Sequence, residues 1–311
     1  MADNVKTTTD TVQDQNNPAS GIPLALLQNM RPKQWAKNGF VFMAILFDQK
    51  LFDADPFLRV LAAFVLLCLT ASAIYIVNDL VDIEKDRQHP RKKFRPIASG
   101  RLPIPVAIGA AIVLFAVAII GSLPLSTKLT MVIIGYIALH VAYSFILKNI
   151  VIIDVFAIAG GFVLRVLAGA VVIEVSSFSP WLYMCAALLA LFLAVGKRRQ
   201  EYIMMGDKAG STRSILKEYN LNLINDMLRL TITTTAIAYT LYAAEAETAL
   251  IRTEYMLLTI PFVYYGLFRY MFLIYVKEHG GDPTEILFED HALQITIVLW
   301  VSLLIVFFYL V

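Results

Sequence analysis

Three aspartates, Asp79, Asp82 and Asp86, are spaced by three and then four residues. On a continuing helix that spacing puts all three carboxylates on one face. Asn78 lies one turn before Asp82 on an adjoining edge. Carboxylates grouped in this way repel one another wherever the dielectric is low, so something positive must compensate them. A hard divalent cation does so: Mg²⁺ prefers oxygen ligands and is held by a few carboxylates plus substrate phosphates, and Mn²⁺ suits the same donors. A solvated acidic turn at a helix end is the alternative. These acids, however, abut an apolar stretch and run straight into a basic one.

The basic run holds Arg87, Arg91, Lys92, Lys93 and Arg95. Cations beside a membrane also bind anionic lipid headgroups, which accounts for part of the run. It does not account for their adjoining an acidic face. Carboxylates, metal and cations together suit a diphosphate, with the metal bridging oxygens and Lys92 and Arg95 neutralising what remains. His89 is either a ligand or a structural residue before Pro90. A second basic group opens with Lys197, Arg198 and Arg199, followed by Glu201 and Tyr202. It suits an additional phosphate or serves as a positive anchor. Glu201 is a metal ligand or the ion-pair partner of Arg198 or Lys197.

Asp154 and Arg165 stand 11 residues apart, about three turns, and so share a face of one apolar segment. Ionisable residues inside such a segment are costly, and they face a cavity or a partner. Asp154 belongs near the entrance with Lys148, and Arg165 sits deeper. Pairing with other segments is the structural alternative for both, and for Arg269. Tyr143 and Tyr202 either hydrogen-bond substrate oxygens or mark the interface, as Trp35 does.

The elements that must position these groups are membrane helices. Hydrophobic residues make up 59% of the 311 and charged ones 16%, well under the quarter expected of a soluble domain. Nine apolar cores are expected, at 38–53, 56–77, 103–123, 129–147, 151–173, 181–196, 228–244, 255–276 and 292–311. The first is short and contains Asp48. With the N-terminus inside, 19 Lys and Arg fall on the cytoplasmic side and four, Lys50, Arg59, Lys128 and Arg252, on the other. That asymmetry fixes the orientation and supports the count. The chemistry then faces the cytoplasm, in loops 78–102, 197–227 and 277–291. Residues 1–22 read as a disordered cytoplasmic tail. Cys68 and Cys185 lie in apolar runs and read as buried thiols. No inverted repeat or broken helix supports a transporter, and nothing points to nucleic acid.

The segment Asn78–Gly100, N-D-x-x-D-x-x-x-D-R-x-H-P-x-K-x-x-R-P-I-A-S-G, resembles the signature of the UbiA prenyltransferase superfamily. Arg31–Asn38, Tyr143–Lys148, Gly196–Arg199 and Gly281–Glu285 resemble the branch containing decaprenyl-phosphate phosphoribosyltransferase. The resemblance implies an all-α, polytopic membrane protein with about nine transmembrane helices in a UbiA-type bundle over residues 23–311. It implies an enzyme of the bacterial inner membrane that transfers 5-phosphoribose from phosphoribosyl diphosphate to a polyprenyl phosphate. In mycobacteria-like organisms that product feeds cell-wall arabinan. Asp79, Asp82 and Asp86 would hold Mg²⁺ or Mn²⁺. Lys33, Lys37, Asn78, Arg87, Lys92, Arg95, Tyr143, Lys148, Asp154, Arg165, Lys197, Arg198 and Glu201 would bind substrate. Aromatic prenyltransferases of the superfamily carry a second D-x-x-x-D after the sixth span, and residues 197–227 have none. A prenyl diphosphate donor with an aromatic acceptor is therefore the alternative. Asp282 and Glu285 either approach the substrate or cap the last helix. A homo-oligomer is compatible with the sequence.

Overall fold

The computed structural model describes residues 21–89, 92–175, 179–205, 214–245, 253–277 and 283–310, and these contain helices and turns but no strand. The expected tail falls outside them except for Gly21 and Ile22. A helix, α1, already begins at Ile22 and ends at Met30. The next turns are a 3-10 helix, Pro32–Val41, and a short α2, Phe42–Phe47. Then come α3 (Ala54–Val81), α4 (Ile83–Gln88), α5 (Ile104–Ser122), α6 (Thr127–Phe145), α7 (Ile153–Val172) and α8 (Pro180–Met205). The last group is α9 (Leu221–Glu245), α10 (Thr253–Leu257), α11 (Ile260–Tyr275), α12 (Pro283–Glu289) and α13 (His291–Tyr309).

In hydrocarbon the backbone must satisfy its own hydrogen bonds, which is why uninterrupted apolar runs become helices. Among the described residues, seven helical segments are long and apolar enough to cross a membrane: α3, α5, α6, α7, residues 180–203 of α8, residues 255–275 and α13. The chain is a multi-pass membrane protein. The two other expected cores are helical but outside that set. Residues 38–53 divide between the 3-10 helix, α2 and a turn after Asp48. Helix α9 has the length, but Asn222, Asn225, Asp226, Arg229 and a run of threonines dilute its hydropathy.

Helices α3 and α7 are the most buried, and α5 shows most of its surface. Ile112 and Ile120 of α5 and Met131 of α6 point outward, as hydrocarbon-facing residues do. Gly169 explains how α7 reaches the first segment. A Cβ there would lie 2.0 Å from the Val41 carbonyl oxygen, so only glycine permits the approach.

Candidate active site

The aspartate segment is nearly one helix. The Asp82 N–H donates to Asn78 O at 3.0 Å and the Asp86 N–H to Asp82 O at 2.8 Å, so the turn between α3 and α4 keeps the helical phase. Asp79 and Asp86 fall on its buried side, 3% and 2% exposed. The loop that follows is pinned by Ile97 and Leu102, which pack with Ala25 of α1 and Ile76 of α3. Arg101 adds hydrogen bonds to Gln28 Oε1 at 3.0 Å and Phe94 O at 2.9 Å. This anchoring returns Arg95 to the acids. Its Nη1 lies 3.0 Å from Asp79 Oδ1 and 2.6 Å from Asp86 Oδ2.

Asp79 Oδ1 also meets Arg31 Nη2 at 2.5 Å, and Lys92 Nζ stands 3.9 Å from Asp86 Oδ1. Asp82 is half-buried and turns to another element: Lys148 Nζ, in the turn between α6 and α7, lies 2.7 Å from its Oδ1. The compensation that three carboxylates require is thus supplied by four cations of the chain. The expected single face is divided, with Asp79 and Asp86 converging on Arg95 and Asp82 on Lys148.

A second cluster adjoins the first through residues 148–154. Asp154, fully buried, forms an ion pair with Arg198, which also holds Glu201. The Tyr219 hydroxyl donates to Asp154 Oδ1 at 2.7 Å and accepts from the Ile152 N–H at 2.8 Å. Burial, and then the bond to Asp154, push Tyr219 up to about 12. Arg165 belongs to a third group, deeper in the bundle. Its Nε donates to Asn38 Oδ1 at 2.7 Å and its Nη2 to the Tyr136 hydroxyl. The shared face of Asp154 and Arg165 therefore serves two separate polar clusters. Arg269 pairs with Asp290 at 2.7 Å, tying α11 to the start of α13.

The remaining expected residues scatter around this centre. Arg87 pairs with Glu84 at 2.8 Å on the exposed side. Asn78, Tyr143 and Lys197 are half-buried, and Lys33 is exposed. Lys37 lines a cavity of about 290 Å³ and is its one charged lining residue among those described; Phe40, Phe162, Phe192, Tyr270 and Trp300 are typical of the rest. Asp282 and the side chain of Glu285 lie outside the described residues. Sequence reasoning gave no site role to Arg31, although it stands in the quoted Arg31–Asn38 segment, or to Tyr219, which nothing in the pattern marks.

Asp79 and Asp86 fit a divalent metal by donor chemistry. Mg²⁺ takes one or two carboxylates and completes its shell with phosphate oxygens and water. Both carboxylates already converge on one positively charged nitrogen. Among the described residues no three acidic, histidine or cysteine side chains form a closed ligand set.

The model of the UbiA prenyltransferase family matches residues 39–288. The chain belongs to this family. Two similar proteins are the decaprenyl-phosphate phosphoribosyltransferases of Corynebacterium glutamicum and Mycolicibacterium smegmatis. The first is 33% identical over 95% of this chain and 90% of its own length. The second is 32% identical over 93% of this chain and 94% of its own. A UbiA homologue from Archaeoglobus fulgidus, solved with DMAPP and Mg²⁺, superposes with a TM-score of 0.68 at 18% identity, covering 92% of this chain and 99% of that one. At that identity the likeness carries the UbiA fold alone.

Proposed function

We propose that this UbiA-family enzyme moves 5-phosphoribose from phosphoribosyl diphosphate to a polyprenyl phosphate of decaprenyl type and releases diphosphate. The observation that carries the reading is the pairing of two buried carboxylates with Arg31, Arg95 and Lys92, in a chain aligned almost end to end with relatives named for that transfer. Asp79 and Asp86, with Asp82 and Asn78 beside them, would hold Mg²⁺ or Mn²⁺. The bound metal would supply charge stabilisation to the departing diphosphate. Arg95, Lys92 and Arg31 neutralise the same group as its charge grows.

The acceptor is already an anion, so the site needs no general base. Its phosphate oxygen attacks the anomeric carbon as the bond to diphosphate breaks, and direct attack inverts that centre. Lys37 receives the lipid phosphate at the mouth of the apolar cavity, and the first part of the chain lies inside. Lys33 and Lys197 add positive charge around the site, and Lys148 and Arg87 are each paired with a carboxylate beside it. Asp154 and Glu201 hold Arg198 in place, while Arg165 braces the segment that carries Lys37. The Lys and Arg asymmetry supports a cytoplasmic position for this end in a bacterial inner-membrane protein.

The test uses purified protein in detergent with Mg²⁺, a polyprenyl phosphate and radiolabelled phosphoribosyl diphosphate. Label should pass into the lipid phase, and Asp86→Asn and Asp82→Asn should lower the rate by at least about a hundredfold. Turnover of a prenyl diphosphate with an aromatic acid, and none of phosphoribosyl diphosphate, would replace this reading with aromatic prenylation.

A further inference from the structure

We propose that Arg31 and Arg95 are phosphate-binding cations stored on Asp79 and Asp86, so that a divalent cation and a diphosphate enter the site together by exchange of partners. The inference rests on the phosphoribosyl-transfer reading only for the choice of a diphosphate as ligand.

The geometry begins with shared atoms. Asp79 Oδ1 accepts from two guanidiniums, at 2.5 and 3.0 Å. The second of these, through Arg95 Nη1, also reaches Asp86 at 2.6 Å. Lys92 adds a third cation at 3.9 Å. Two acids therefore face two guanidiniums and an ammonium, groups suited to an incoming anion. The carboxylates are buried while the two arginine side chains are each 29% exposed, so the movable partners are the cations.

A metal arriving alone must expel Arg95 from between the acids and leave a guanidinium without a counter-ion, which is costly near a low-dielectric wall. A diphosphate arriving alone must draw the arginines away and leave two buried carboxylates uncompensated. When both arrive, the carboxylates turn to the metal and the guanidiniums to phosphate oxygens, for which their planar fork is suited. Each ligand then removes the penalty of the other, and the coupling is reciprocal.

Arg31 has a second resting place that suits this motion. Its guanidinium lies 4.9 Å over the Tyr75 ring, a cation–π contact that survives release of Asp79. Its backbone, at φ 54° and ψ 64°, adopts a left-handed conformation unfavourable to any residue but glycine. That turn aims the side chain back over the end of α3.

The experiment measures Mn²⁺ retained by the full chain in detergent by equilibrium dialysis, with Mn²⁺ alone and with inorganic diphosphate, at matched free Mn²⁺ and counting only the excess on the protein side. Wild type should bind about tenfold or more tightly when diphosphate is present. Arg95→Gln and Arg31→Gln should bind Mn²⁺ alone about tenfold more tightly than wild type and lose most of the gain from diphosphate. A purely structural ion pair predicts the reverse, since its loss loosens the carboxylates and weakens both. Variants that bind Mn²⁺ alone no better than wild type overturn the proposal. So does a wild type indifferent to diphosphate, a comparison that stands even where a variant fails to fold. No lipid acceptor is present, so failure of the transfer assay leaves the exchange standing, and failure of the exchange leaves transfer standing.

Discussion

Tyr219 links three local demands through one hydroxyl. It caps the Ile152 N–H where the chain turns into α7, and it donates to the buried Asp154 that in turn holds Arg198. Ile152 sits at φ 70°, a strained position for a β-branched residue. Tyr219→Phe should therefore destabilise the fold by about 1–3 kcal/mol, read as a lower thermal midpoint in detergent. Because the folded hydroxyl is held neutral up to about 12 while an unfolded tyrosine ionises near 10, its contribution is complete below pH ~10 and is lost between ~10 and ~12. The variant should lose less stability than wild type over that range; equal slopes would sink the assignment. Asp290 titrates in the opposite sense. The hydrogen bond from Arg269 holds its carboxyl below the ordinary value, so its stabilisation is present above pH ~4 and is lost on further acidification. Asp290→Asn should flatten acid unfolding below pH ~4, measured by tryptophan fluorescence. At this scale Asp79, Asp86, Lys92 and Arg95 could be read together because they lie within 17 residues of sequence. Arg31 and Tyr219 join them only through tertiary contact, from 48 residues before Asp79 and 65 after Asp154, and no local pattern announces such partners.

The first expected core, residues 38–53, was legible as apolar but not in its form. A 3-10 helix repeats every three residues, and that repeat sorts this segment into two stripes. Trp35, Asn38 and Val41 make one. Trp35 Nε1 donates to Ser72 Oγ at 3.0 Å, Asn38 is bonded to Cys68 and Arg165, and Val41 meets Gly169. Lys37 and Phe40 lie on the next stripe, Met43 of α2 follows it, and all three line the cavity. An α-helical repeat would fan each set over about 120° instead of stacking it in line, and an apolar window has no means of telling one repeat from the other. Gly169 is the counterpart on α7. Gly169→Ala drives a methyl into the Val41 carbonyl, and the helix must move, at a cost of about 1–3 kcal/mol. Gly135→Ala, where a Cβ meets nothing within 4 Å, should instead stabilise α6 by about 0.5–1 kcal/mol. Thermal midpoints that moved the same way for both variants would contradict this account of the α7 contact. Most other boundaries, such as 103–123 against Ile104–Ser122, were readable because hydrocarbon allows so few backbone solutions.

At the scale of the whole molecule, the proposed reading has one amphipathic substrate use both the polar clusters and the apolar cavity. From Lys37 to Phe47 the first segment rises about 17 Å, roughly half of a hydrocarbon core of about 30 Å. On that reading, a cavity of about 290 Å³ along that rise would take only the beginning of a polyprenyl chain and leave the remainder to the bilayer. Sequence gave no sign of this space, because Phe40, Phe162, Gly266 and Trp300 come from four distant segments, and each reads alone as ordinary span. Gly266 offers a direct test. A Cβ there would have its nearest neighbours, Leu293 Cδ1 and Thr296 Cγ2, at 4.0 Å, so a larger side chain enters the cavity without displacing backbone. Gly266→Leu should exclude two or three lipid methylenes, worth about 0.8 kcal/mol each. KM for the polyprenyl phosphate should then rise by about ten- to fiftyfold. KM for phosphoribosyl diphosphate, which the proposal assigns to the aspartate end, should stay within about twofold, since sites that share no partner respond independently. Equal rises in both would mean that the cavity communicates with the diphosphate site, and an unchanged lipid KM would place the chain on another face of the bundle.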